Sequence, residues 1–390
     1  SIIGSLWLMS LLGADVGFLH GSFPLHRTFQ IDGFLTLLVM GVGYMIVPRF
    51  RNIQLPSIWL VYLSFILILF SIAASILSTF TTITLSVIGV FAQFLSVSIF
   101  AGITIWTLRT PPRLLRTADY FIALSVTVLL STNVLEVIHQ VGSRNGSSLS
   151  EVQMILFFAI LMILGVEFKT LPSFLGFIRP RKKLSALSFW LAFTSVIFGL
   201  ASVLYHEFIL GEIFNAVLLG FVMTFAAAIY IFGGFDNREI LSLIQGEKKA
   251  RYKYTVRHLR LSFLFLYGGI ILALAFNITS SYILYDLAIH YTAIGFIGFT
   301  VALYLPLMLP PITGKMVDFM KFNNLPLYFI LAALGTRTLG DIVMTTRVST
   351  VPTSYLSMIS GWLVVLGLFG FITMIHRSMN ETETINNRNN

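Results

Sequence analysis

The chain has 390 residues, of which 57% are hydrophobic and only 11% charged, and its mean hydropathy is +0.90. That composition excludes a soluble globular protein. The absence of cysteine excludes disulfides, iron–sulfur clusters and thiolate-held zinc or haem, while the surplus of 25 Lys and Arg over 16 Asp and Glu, a net charge of +9, sets orientation in such a chain before it recruits nucleic acid.

A bilayer-crossing helix needs ~20 apolar residues. Apolar windows bounded by charge, Pro and Gly fall near residues 1–19, 28–47, 57–79, 82–108, 118–139, 150–178, 185–206, 212–235, 257–279, 284–309, 326–346 and 354–376, twelve spans in all. The runs are too continuous for the alternation of a membrane β-barrel, and no window reads as a cleaved leader. The expectation is an all-α polytopic membrane protein, with residues 1–376 forming a single transmembrane helical domain and 377–390 a polar, disordered tail. Neither half visibly repeats the other, which speaks against an inverted-repeat transporter.

Basic residues crowd the connections after even-numbered spans: Arg49 and Arg51, then Arg109, Arg113 and Arg116, then Arg179 to Lys183, then Lys248 to Arg260. By the positive-inside rule these connections and both termini face the cytoplasm of a cell membrane. The longest, residues 236–256, reads as a solvated loop with lipid-headgroup contacts.

Orientation turns scattered histidines into a pattern, because five of the seven fall on the outer side: His20 and His26 between the first two spans, His139 ending the fifth, His206 ending the seventh, and His290 in the tenth. Ionisable groups inside spans mark functional sites by default. His290 lies in DLAIHYTAIGFIGF, with Gly295 and Gly298 able to admit another helix or a flat cofactor. Two imidazoles on facing helices suit both axial positions of a b-type haem, and His26, followed by Gly33, Gly41 and Gly43, is the natural partner of His290. The competing reading makes His26 an interfacial residue bonded to loop backbone.

Glu136 and His139, spaced i, i+3, join His206 and Glu207 as candidate metal ligands, with His20 as a further one; two polar residues at a wet helix end is the alternative. Arg337 either pairs with Asp341 at i+4 or takes a haem propionate, with Arg347 as a second propionate candidate. Glu167, Lys169 and Pro172 read as a helix end tucked toward the cytoplasm.

These residues sit in motifs that resemble a known family. HRTFQIDGFLTLLVMGVGYMIVPRF looks like the second helix of the NnrS family of haem- and copper-containing membrane proteins. GVEFKTLPSFLGF, RHLRLSFLFL, AIHYTAIGFIGF and AALGTR with Trp362 are similar to its later segments, in the same order. Thr28, Phe29 and Gln30 stand where that family has a second histidine followed by Glu and Met, and Lys169 or Thr170 replaces its arginine. More distantly, HYTAIGFIGFTVALYLPLMLPPITGK resembles the tenth helix of haem-copper oxidase subunit I. There the matching histidines ligate the low-spin haem, but the high-spin ligand would fall at Ala288, so oxygen reduction is not expected.

The resemblance implies an oxidase-like bundle holding haem b through His26 and His290 between the second and tenth spans. Copper at His20, His139 or His206 would be a second metal, and respiratory-chain subunits or an outer-face electron-transfer protein would be partners beside the lipid bilayer. A cofactor-free secondary transporter, with Asp32, Glu136, Asp286 and Arg337 as coupling charges, is the rival from another class. A metal-free accessory subunit of a respiratory complex is the third reading.

Overall fold

A computed structural model describes residues 23–78, 83–110, 116–142, 149–233, 246–304, 324–345 and 350–388. It is 91% helical, without a strand among the described residues. Eleven helices there are long and apolar enough to cross a membrane. They correspond to the second to twelfth expected spans, and the first lies outside the described residues. The protein is therefore an all-α, multi-pass membrane protein.

In chain order the helices are α1 (residues 23–51), α2 (Ile58–Ser78), α3 (Ile83–Arg109), α4 (Thr117–Val141), α5 (Leu149–Phe174), α6 (Lys182–Tyr205) and α7 (Phe208–Ile229). There follow α8 (Gly246–Thr279), α9 (residues 282–304), α10 (Leu325–Thr345) and α11 (Thr350–Arg388). The last continues through the polar residues after Arg377. Once a helix is nucleated by its apolar part, each further residue needs only propagation, and this stretch holds neither Pro nor Gly.

The chain divides into two compact units, one of residues Pro24–Gly233 and the other built, in its described part, from the helices after Gly233. In the first, α2 packs on α3, α3 on α4, α4 on α5 and α6 on α7, so most contacts join helices adjacent in sequence. Its axis is α5, whose most apolar window is 89% buried, against 28% for α2. The outer helices present Trp59, Tyr62, Ile66, Trp190 and Ile197 outward, as lipid-facing helices do. Pro172 stands near the end of α5, and the chain leaves the helix through Gly176 at φ 64°, with the Leu175 and Phe177 amides both donating to the Leu171 carbonyl.

At the opposite end of α1 from His26, four helix ends meet. The side chain of Arg51 donates to the Thr110 carbonyl at 3.0 Å and lies 3.6 Å from the Asp119 carboxylate. Lys169 donates to the Phe50 carbonyl at 2.8 Å and sits 4.1 Å over the Phe50 ring. Cations thus satisfy carbonyls that the ends of α1 and α3 leave without intrahelical partners.

In the second unit α8 packs on α9, α9 on α10 and α10 on α11. Glycine lets α8 and α9 approach: a Cβ on Gly295 would lie 2.7 Å from Phe265 Cβ and Cγ, and one on Gly269 would meet Thr292 Oγ1 and the Ala288 carbonyl. Gly295→Ala should therefore destabilise the protein by about 1–3 kcal/mol, since Phe265 is also held edge-to-face against Tyr291 and Phe299. Gly335→Ala, where nothing lies within 4 Å of the added atom, should leave the thermal midpoint in detergent unchanged. Equal midpoints for the two variants would contradict this packing.

Candidate functional site

The two helices that carry His26 and His290 share a feature with no other described helix. In α1, α-helical Phe23–Thr28 gives way to a π-helical stretch, Phe29–Thr36, before the α-helix resumes at Leu37–Arg51. In α9, α-helical Tyr282–His290 runs into a π-helical Tyr291–Gly298. The Phe299 amide that closes this second stretch reaches back five residues to the Ile294 carbonyl. A π stretch widens the helix and shifts the side chains that follow, and such stretches are frequent at functional sites.

His290 belongs to a polar cluster within the second unit. Its Nδ1 donates to the Asp286 carbonyl at 2.7 Å, with an Asp286 carboxylate oxygen 3.4 Å away. This fixes the tautomer and the ring and leaves Nε2 as the atom able to bind a metal. The side chain is 21% exposed. Arg337 of α10 donates through Nε and Nη2 to the same Asp286 oxygen, at 2.8 and 2.5 Å, and lies 3.7 Å from Asp341. The pair expected at i, i+4 exists, but Asp286 is the closer partner. Tyr291 and Thr338 join α9 to α10 by a hydroxyl contact of 3.1 Å. Gly295, expected to admit a helix or a cofactor, admits Phe265 of α8.

His26 lies half-buried at the start of α1 in the first unit. One residue on, Arg27 acts electrostatically on both Asp32 and Glu136. Asp32 accepts from Gln93 Nε2 at 3.0 Å, and Gln93 Oε1 accepts from Ser71 at 3.2 Å. Four helices, α1 to α4, thus contribute to one polar chain inside the span region. None of these groups would be placed there by hydropathy alone, since a charge in lipid is costly.

Along α4 from Glu136, His139 Nδ1 meets Glu151 Oε1 at 2.5 Å, a short charge-assisted contact. The His206 ring lies 6.2 Å from that of His139, centroid to centroid. His206 is held there by an unusual backbone: it terminates α6 in the left-handed region, φ 56°, its amide donating to Ser202. The structure so brings His139 and His206 together, as the sequence suggested. The carboxylate that engages His139 is Glu151 of α5, which sequence reading passed over. Among the described residues no three His, Asp or Glu side chains are arranged to hold a metal ion.

His20 and Arg347 lie outside the described residues. Glu167 is 1% exposed with neither carboxyl oxygen hydrogen-bonded, so the helix end expected there carries a buried acid and not a solvated one. No family model and no curated protein matches this chain, and the likeness to the NnrS family rests on the motifs quoted above.

Proposed function

We propose that this protein is a b-type membrane cytochrome of NnrS-like kind, in which His26 and His290 are the axial ligands of haem b. The observation that carries the reading is the coincidence of the two π-helical stretches with the two candidate ligand helices, one starting three residues after His26 and the other at the residue after His290. What supports it at His290 is that the Asp286 carbonyl holds Nδ1 and leaves Nε2 for iron. The choice of His26 as the second ligand rests on the sequence pattern.

Bound haem would supply a one-electron couple. The chain's own work would be to fix two imidazoles, leaving no open position for a gas or substrate, and to neutralise charge nearby through Asp286, Arg337 and Asp341. Both termini would face the cytoplasm, and an electron-transfer protein or another respiratory subunit would dock on the outer side. Copper at His139 and His206 is a weaker extension, because among the described residues no third His, Asp or Glu joins them in an arrangement to hold a metal ion.

The test is a reduced-minus-oxidised spectrum with a pyridine haemochrome assay on the purified chain. About one haem b per chain, with a sharp low-spin band, is the expected result; haem-free protein would sink the proposal. A second reading is favoured by one observation, the chain of ionisable groups through Arg27, Asp32, Glu136, His139 and Glu151. Such chains carry protons in transporters, and a haem-free protein would make proton-coupled transport the leading reading.

A further inference from the structure

We propose that the first part of α8 is a binding groove for an anionic phospholipid. A groove of about 480 Å³ is lined by Tyr252, Lys253, Val256, Arg257, Arg260 and Leu264, with Leu261 beside them. Three of these residues are cations and none is acidic. Lys253, Arg257, Arg260 and Leu264 follow one another at i, i+4, i+7 and i+11, which aligns them as a single stripe on the helix surface. Charge occupies the first three positions of the stripe and an apolar side chain the fourth.

The position of the stripe relative to the bilayer matters as much as its charge. The helix Gly246–Thr279 carries its charge in its first part, and residues 261–279 form an uncharged run of 19 residues, about 28 Å at 1.5 Å per residue. That matches the hydrocarbon layer of a bilayer, ~30 Å. Lys253 to Arg260 cover about 10 Å immediately outside that run, the headgroup layer and its boundary, where Lys and Arg extend their charged ends toward phosphate. Leu261 and Leu264 then lie at acyl-chain depth, and Leu264 is exposed. A free phosphate would use only the cationic end. The groove continues from cations to leucines, which is the profile of one phospholipid molecule. Lys253 and Arg257 are themselves exposed, so both can be altered without opening the core. This inference does not depend on haem binding.

The experiment is native mass spectrometry of the full chain, purified in detergent and offered equal amounts of phosphatidylglycerol and phosphatidylcholine. Retention of phosphatidylglycerol in preference to phosphatidylcholine is expected. Lys253→Gln and Arg257→Gln should each weaken it about fivefold. Lys182→Gln with Lys183→Gln, exposed cations at the start of α6, should leave it unchanged, and gel filtration would verify that every variant is folded. Equal retention of the two lipids would overturn the proposal, as would an equal loss in the α6 control, which would mean diffuse attraction. Displacement of the lipid by millimolar inorganic phosphate would also overturn it, by showing a site for the anion and not for the lipid.

Discussion

Replacing His290 by Ala should remove the haem spectrum altogether. On the proposed reading one axial bond is lost, and the polar cluster that orients the ring, Asp286 with Arg337, remains in place because it does not depend on the imidazole. The fold should therefore survive, and loss of haem would not be a by-product of unfolding. Tyr291→Phe provides the comparison: it removes only the 3.1 Å hydroxyl contact with Thr338, at a cost of about 1 kcal/mol, and should keep the spectrum. Added imidazole should restore a low-spin band to His290→Gly by occupying the vacated position. A normal spectrum in His290→Ala would end the assignment of this residue as a ligand.

The largest effect on stability is expected from Arg51→Ala. The Arg51 and Asp119 side chains are only 4% and 8% exposed, and Arg51 also donates to the terminal carbonyl of α3 at Thr110. Breaking a buried pair by removing one partner leaves the other charge uncompensated, which costs about 3–5 kcal/mol. Asp119 would keep the Arg116 amide, 2.8 Å away, but no cation. Arg49→Ala, two residues away and exposed, should change stability by no more than about 0.5 kcal/mol. Unfolding of both variants in mixed micelles distinguishes the two residues; equal stabilities would show that Arg51 holds nothing together.

The spans were legible in the sequence because a bilayer demands long apolar runs and little else can satisfy it. Most described helices begin and end within a few residues of the expected positions for that reason, but α8 begins earlier, at Gly246, within the loop expected over 236–256, and α11 runs on to Arg388, through the tail expected to be disordered. The π-helical stretches were not legible: FQIDGFLT and YTAIGFIG carry the same apolar residues as the α-helices around them, and the distinction lies in one inserted backbone position. Partners were legible only when close in sequence. Asp341 was visible as a partner of Arg337 because it is four residues on, whereas Asp286, 51 residues back, binds it more closely. The spacing of Asp286 and His290, also i, i+4, was a usable signal. Glu151 engages His139 across a connection that gives no hint of direction, and only the packing of α4 on α5 brings the two together.

The first unit is a single unbroken stretch of chain, Pro24 to Gly233, whose packing is dominated by helices that follow one another directly. A ribosome releasing this protein into the membrane would deliver every helix of that unit before α8, the first described long helix of the other, and each new arrival would find its neighbour already inserted. Contacts of such short sequence separation form quickly, so the polar chain from Ser71 to Glu151 need not wait, exposed to lipid, for the synthesis of the rest. Nascent chains arrested downstream of Gly233 should already resist proteolysis within this stretch, with domain-wise assembly during synthesis as the physical reason.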